Sequence, residues 1–252
     1  MVKKRFKDGS IHAISCGIVC YETPLSQLEN LLGSLLVAIR RLKVTEQKIS
    51  VTICVVDNSM EQTNVRSVCE GSKELQAVEN VEIRYIGGHG NIGYGAAQNL
   101  AITCVKSDLH LILNPDVVVK EDALIKGIKA FLSYPSLAML SPMATNNSGE
   151  KQFLCKRFPT VLTLFIRGFL PKIFEGFFRE RLDIYEMQDL SETKLTEGIP
   201  LISGCFMLSD TRYLQSIGGF DESYFLYFED FDLSIRMASL GTLAYSPNVQ
   251  II

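Results

Sequence analysis

Carboxylates carry most of the chemical potential of this sequence. Five of them, Asp221, Glu222, Glu229, Asp230 and Asp232, fall within twelve residues of an aromatic-rich stretch between Gly218 and Met237. From Glu229 onward the spacing predicts a helix with Phe231, Ile235 and Ala238 as its buried stripe. Asp232 is then placed to pair with Arg236 four residues on. Glu229 and Asp230 occupy the first turn, where the helix dipole favours negative charge. A helix start alone explains acidic residues there, but not the aromatics around them. A pocket explains both: one carboxylate serves as general base and the rings form a platform for a sugar.

Two further carboxylates stand at predicted strand ends. In Asn114-Pro115-Asp116 the proline restrains Asn114 to extended geometry and stiffens the turn. A lone carboxylate such as Asp116, set beside a diphosphate, can hold Mg²⁺ or Mn²⁺, with phosphate and water as the other ligands. The plainer reading is a strand-end turn. In Asp57-Asn58-Ser59 the acid can accept hydrogen bonds from a base or ribose, or can close an Asx turn. Taken alone, Asp57 favours the turn.

Gly87-Gly88-His89-Gly90-Asn91-Ile92-Gly93 contains the pattern G-x-G-x-x-G between a predicted strand and a predicted helix. It follows the third strand, whereas a dinucleotide fingerprint follows the first strand of its unit. The position expected for a ribose-binding acid falls in an apolar strand near Leu111 to Leu113. The loop therefore reads as backbone brought close to a nucleotide. His89 is open to two readings, an exposed loop histidine or a ligand contact.

Behind these residues the chain alternates strands and helices. Ala13–Cys20, Val51–Val56, Val81–Ile86 and Leu109–Leu113 read as strands. Thr23 and Pro24 read as the cap and first position of a helix whose apolar face is Leu25, Leu28, Leu32, Leu35, Ile39 and Leu42. Gly93–Lys106 and Glu121–Tyr134 read as helices, the latter with Leu124, Ile128, Phe131 and Leu132 on one side. This alternation predicts an α/β fold with a mostly parallel central sheet flanked by helices. Ligands of such sheets bind beyond the carboxyl ends of the strands, where Asp57 and Asp116 lie. Further on, Gly198–Leu208 reads as an apolar strand and Leu243–Tyr245 as a last one. Phe158–Arg181, aromatic and basic, is open to two readings: interfacial amphipathic helices or a helical lid packed on the core.

Composition narrows the classes. The 252 residues carry a net charge of -3, from 25 basic and 28 acidic side chains, without the basic excess of a nucleic-acid binder. Seven scattered cysteines show no zinc-type spacing and favour a reducing, cytosolic setting. The apolar stretch Ile11–Cys20 lacks the cleavage site of a signal peptide and is better read as a strand. No internal repeat or linker divides the chain, so a single domain over 1–252 is expected.

Taken together, Val55-Val56-Asp57-Asn58-Ser59, Gly90-Asn91-Ile92-Gly93-Tyr94-Gly95 with Asn99, Leu113-Asn114-Pro115-Asp116, Ser203-Gly204-Cys205-Phe206-Met207 and the acidic stretch resemble family 2 glycosyltransferases of the GT-A fold. The likeness is nearest to bacterial rhamnosyltransferases of cell-surface polysaccharide synthesis, and it spans Ile14 to about Tyr245. It implies a nucleotide-binding part at about 11–145 and an acceptor and catalytic part at about 146–252. It implies that Asp57 contacts the donor's pyrimidine, and that Asn58, Gly90, Asn91, Gly93, Asn99 and Asn114 line the nucleotide-sugar site. Asp116 would stand near a metal in a variant D-x-D motif, and Asp230, with Glu229, would be the catalytic base. Asp221, Glu222 and Tyr227 would meet the acceptor. Two departures stand out. Asn114 replaces the first carboxylate of the D-x-D motif, and relatives usually continue past the position of Ile252, so a shortened chain is expected.

The expected reaction is a single inverting displacement from a nucleotide-diphosphate sugar, with dTDP-rhamnose as the donor suggested by the resemblance. A glycan or lipid-linked hydroxyl is the acceptor, at the cytoplasmic face of the inner membrane. A competing reading is a catalytically weak nucleotide-sugar-binding subunit. A sugar nucleotidyltransferase fits less well, because Tyr21-Glu22-Thr23-Pro24 stands where that class carries a basic, glycine-rich loop.

Overall fold

Strands that are buried along nearly their whole length need helices on both faces of their sheet. In the computed structural model, which describes residue 6 and residues 9–60, 64–169 and 177–252, they have them. The first half runs β1 (Ala13–Cys20), α1 (Leu25–Thr45), β2 (Ser50–Asp57), α2 (Val65–Gly71), α3 (Lys73–Gln76), β3 (Val81–Gly87), α4 (Tyr94–Cys104), β4 (Leu109–Leu113) and α5 (Ala123–Ser133). The second half adds β5 (Leu137–Thr145), β6 (Lys151–Gln152), β7 (Cys155–Lys156), α6 (Val161–Phe169), α7 (Arg179–Tyr185), β8 (Thr196–Glu197), β9 (Leu201–Ile202), β10 (Phe206–Asp210), α8 (Thr211–Ser216), α9 (Glu229–Ala238) and β11 (Thr242–Ile251).

Among the described residues one sheet runs in the order β3-β2-β1-β4-β10-β5-β11-β8, with β6 on β5. The strands β3, β2, β1 and β4 are parallel, as are β5 and β11. β10 lies antiparallel between β4 and β5. The mostly parallel sheet flanked by helices is therefore present. Alternate residues divide the core: Ile14, Cys16, Ile18, Ile53, Val55, Leu109 and Leu111 meet α1 and α5 on one face. Cys54, Val56 and Ile112 lie on the other, toward α4 and α9. Each such fully buried aliphatic side chain is worth about 1.5–3 kcal/mol of apolar transfer, so this two-sided burial dominates the stability of the domain.

Several local expectations are corrected. Pro24 is itself the cap residue of α1, and the Thr23 hydroxyl accepts from the Tyr21 N–H at 3.2 Å instead of capping the helix. Leu132 of α5 is exposed, and Ala123, Gly127 and Ala130 complete the buried face. Leu137–Thr145 is a strand that the sequence reading passed over, as are the short helices between Val65 and Gln76. Gly198–Leu208 breaks into β9 and β10, and the last strand extends to Ile251. The inward face of α9 is Leu233, Ser234 and Met237, while Ile235 and Ala238 are exposed and Phe231 is half-buried. The reason is polar: Ser234 Oγ accepts from the Ile202 N–H at 3.0 Å, and this rotates the helix by about one position.

Within Phe158–Arg181, Val161–Phe169 is α6 and α7 begins at Arg179, while residues 170–176, Lys172 and Phe174 among them, lie outside the described residues. α6 buries only Thr163 and Ile166, leaving Val161, Leu162, Phe165 and Phe169 exposed. Among the described residues no helix is long and apolar enough to cross a membrane.

Candidate active site

The parallel strands all end on one edge. Asp57 closes β2 directly opposite Cys20 of β1, and Leu113 of β4 stands opposite Ile18. Asn114-Pro115-Asp116 therefore leaves the sheet at the level of Asp57, two strands away, a spacing of about 10 Å. The two sequence-predicted carboxylates share this edge.

On one side of the edge, Asp57 is buried. It accepts from the Ser59 N–H at 3.2 Å, which is the Asx turn, and from the Tyr85 hydroxyl at 3.2 Å. The turn and an edge position thus coexist. Asn58 ties the glycine loop down. Its amide donates to Asn91 Oδ1 at 3.0 Å and to the Gly93 carbonyl at 3.3 Å, and its Oδ1 accepts from the Ile92 N–H at 3.1 Å. Gly90 and Gly93 have φ of 70° and 87°, in the left-handed region. A Cβ on Gly93 would lie 2.7 Å from the Phe225 carbonyl, so glycine lets the acidic loop close over this turn. His89 Nδ1 lies 2.8 Å from the Gly90 carbonyl and belongs to the loop itself.

Asn99 behaves differently from its neighbours. Its Oδ1 accepts from the Phe220 N–H at 2.8 Å, and its Nδ2 donates to the Phe220 carbonyl at 2.9 Å and to Glu222 Oε1 at 3.0 Å. The polar atoms of Asn99 thus fasten the acidic loop to α4. Glu222 is correspondingly engaged with α4, while Asp221 caps the Ser223 N–H at 2.9 Å in a turn. Arg236 donates to Asp232 at 2.7 Å, as the spacing predicts, and to the Ile217 and Gly219 carbonyls at 3.1 and 2.7 Å.

The other side of the edge is built around Tyr94. Its hydroxyl lies 3.1 Å from Asn114 Oδ1 and 3.0 Å from the Gly204 carbonyl. The Asn114 N–H donates to the Cys205 carbonyl at 3.0 Å, and the Gly204 N–H donates to Asp230 Oδ2 at 3.1 Å. Asp230 Oδ1 also accepts from the Phe231 N–H at 2.9 Å. Asn114 and Asp230, far apart in sequence, thus share one network. The exposed Asp116 stands close enough to add its charge to burial in pushing the Cys205 thiol up to about 12.

Burial raises the Asp230 carboxyl above the ordinary carboxylate range, against the lowering effect of its backbone donors. Glu229 is raised too, by burial first and by the adjacent Asp230 charge, and its Oε2 is buried with no hydrogen-bond partner among the described residues. A carboxylate whose pKa burial raises, set beside the strand edge, is suited to proton abstraction. Tyr227 and Phe228, immediately before it, have φ of 68° and 67°, strain that concentrates at functional sites. Both are exposed beside Phe225 and Leu226, an apolar rim. Sequence reasoning assigned no role to Tyr94, Tyr85 or Gly204. Tyr94 and Gly204 fall inside quoted motifs, but only the fold shows what they touch.

The pattern describing glycosyl transferase family 2 matches residues 15–208. The chain is 25% identical over 244 residues to an N-acetylglucosaminyl-diphospho-decaprenol L-rhamnosyltransferase of Mycobacterium tuberculosis, covering 91% of this chain and 72% of that protein. It is 31% identical over 172 residues to the rhamnosyltransferase WbbL of Escherichia coli, covering 65% of this chain and 61% of that one. The fold resembles GalNAc-T7 with UDP, GalNAc and Mn²⁺, with a TM-score of 0.67, 14% identity and coverage of 98% of this chain. It also resembles the mannosyltransferase PcManGT of Pyrobaculum calidifontis in complex with GDP-Man and Mn²⁺, with a TM-score of 0.63, 15% identity and 96% coverage. The chain spans 43% and 56% of those two structures.

Proposed function

The chain belongs to glycosyl transferase family 2, and from that premise we propose that it transfers a sugar, with inversion, from a nucleoside-diphosphate donor to a hydroxyl acceptor. The observation that carries the reading is Asp230: a half-buried carboxylate at the start of α9, oriented by the Gly204 N–H, in one hydrogen-bonded network with Asn114 at the strand edge. In this proposal Asp230 takes the acceptor proton as the hydroxyl oxygen attacks the anomeric carbon. Burial maintains the basicity of Asp230, and the adjacent Asp230 charge in turn helps to raise Glu229. Asp57 receives the base, and the loop of Asn58, Gly90, Asn91 and Gly93 carries the donor. Asp221 and Tyr227, on the exposed side of the acidic loop, form the acceptor rim together with Glu222. The nucleotide-binding part covers about 11–145 and the acceptor part the remainder.

A divalent cation suits this site as a companion of the donor. Among the described residues no three His, Cys, Asp or Glu side chains form a cation cluster. The exposed Asp116 and the Asn114 amide oxygen are the donors at hand, a minority share for a cation that takes phosphate and water as its other ligands. When bound it supplies charge neutralisation of the departing diphosphate.

The donor we propose is dTDP-rhamnose, supported by the two relatives named as rhamnosyltransferases. We propose a lipid-linked acceptor at the cytoplasmic membrane surface, supported by the exposed Val161, Leu162, Phe165 and Phe169 of α6. Flotation with anionic liposomes tests that contact: a protein that stays at the bottom of the gradient removes it. The donor is tested by thermal shift against nucleoside diphosphates and nucleotide sugars, with and without Mn²⁺. A ligand selective for the folded state at a hundredfold its Kd adds about 2.7 kcal/mol. The expected result is a Mn²⁺-dependent shift with dTDP-rhamnose that Asp116→Asn loses. No shift with any sugar nucleotide would refute the donor assignment.

A further inference from the structure

The phenol of Tyr94 is the point at which the donor edge and the catalytic loop meet. Gln98 Nε2 donates to the Tyr94 oxygen at 3.2 Å and to the Gly17 carbonyl at 3.3 Å, so the phenol oxygen already accepts one bond. Its proton must then point away, toward the two remaining acceptors, Asn114 Oδ1 at 3.1 Å and the Gly204 carbonyl at 3.0 Å. One proton cannot serve both acceptors at full strength. The ring itself is held edge-on against Phe220, with centroids 6.0 Å apart, so the hydroxyl is not free to wander.

The two acceptors belong to different functions. Asn114 sits at the strand end beside Asp116. Gly204 is the residue whose N–H orients Asp230. At Gly204 a Cβ would lie 3.5 Å from the Tyr94 ring and 3.6 Å from Asp230 Cβ, so glycine is sandwiched directly between the two side chains. The Asn114 N–H bond to the Cys205 carbonyl ties the same short segment to β4 from the other side.

We propose that Tyr94 is a positioning residue that couples the donor edge to the base: its single hydroxyl proton is shared between Asn114 and the Gly204 carbonyl, and by fixing that carbonyl it sets the position of the preceding Gly204 N–H that orients Asp230. The proposal rests on Asp230 as the base. A donor group that occupies the Asn114 oxygen releases the Tyr94 proton to Gly204, and the Gly204–Asp230 bond tightens as the donor arrives. Occupation of the strand edge thereby sets the aim of Asp230.

The test reads Asp230 directly. Protein labelled with ¹³C at aspartate carboxyls is titrated by NMR, and the Asp230 resonance is the one absent from Asp230→Asn. Other titratable groups facing Asp230 are Glu229 on its own helix, Tyr94 on α4 and Tyr185 on α7. Tyr94→Phe keeps the ring and removes the proton. It is expected to loosen Gly204 and raise the Asp230 midpoint by about half a pH unit or more. Asn114→Ala removes the competing acceptor, commits the proton to Gly204, and is expected to lower the midpoint. A purely packing role for Tyr94 predicts no change in either. An unchanged midpoint in folded Tyr94→Phe overturns the proposal. Should that variant fail to fold, the Asn114→Ala arm decides, and an unchanged or raised midpoint there is fatal. Turnover by Asp230→Asn, measured alongside, bears only on whether Asp230 is the base.

Discussion

Replacing Asp230 by asparagine keeps the size of the side chain and removes its capacity to take a proton. In the wild type each carboxylate oxygen accepts one backbone N–H, from Gly204 at 3.1 Å and from Phe231 at 2.9 Å. Asparagine offers one oxygen and one NH₂, so one of those donors loses its acceptor, at about 1–3 kcal/mol. Against that loss, the variant no longer places a raised carboxylate beside Glu229. The two effects oppose each other, so the melting temperature is expected to change by only about 3 °C in either direction. Catalysis has no such compensation. Loss of a positioned general base costs about 10²- to 10⁴-fold in kcat, or about 3–5.5 kcal/mol of barrier. The assay is release of nucleoside diphosphate in the presence of acceptor, with donor Kd measured separately by calorimetry. Donor binding is expected to stay within about threefold of wild type, because Asp230 is assigned to the acceptor's proton. Turnover at the wild-type rate would refute the assignment. So would a loss of turnover that merely tracks a loss of donor binding.

Three further outcomes follow from the same geometry. Glu229→Gln removes a carboxyl whose folded-state pKa is raised. Such a group adds stability below the unfolded carboxylate range and loses it as pH rises through the higher folded value. The variant should therefore melt above wild type at neutral pH, and the gap should close toward pH about 4, as read by melting curves at several pH values. Arg236→Ala frees the Ile217 and Gly219 carbonyls and Asp232, and should cost about 2 kcal/mol, seen as a melting temperature lower by about 6 °C. Gly93→Ala forces a Cβ to within 2.7 Å of the Phe225 carbonyl at a φ of 87°, and should cost about 1–3 kcal/mol and weaken nucleotide binding by calorimetry.

Much of this protein was readable along the chain. Largely apolar runs at Ala13–Cys20 and Leu109–Leu113, each carrying one polar residue, Ser15 or His110, mark doubly covered strands. Ligands of parallel sheets bind beyond the carboxyl ends of the strands, so Asp57 and Asn114-Pro115-Asp116 mark the candidate edge along the chain itself. The acidic, aromatic stretch marks the second half of the candidate site in the same way, because its composition exceeds what a helix start requires. These features are local, and local spacing suffices to read them.

What only the tertiary structure decided is which distant groups share a proton or an acceptor. β10 enters antiparallel between β4 and β5, and that insertion delivers Gly204 to Asp230 and Cys205 to Asn114. Asn99 reads as a donor contact in sequence, and its amide holds the Phe220 backbone 121 residues away. The face of α9 turns on a bond between Ser234 and Ile202 that no periodicity encodes. Hydrophobic spacing records which side of an element is buried. Hydrogen-bond partners are chosen across the sheet, and the chain must close on itself before they exist.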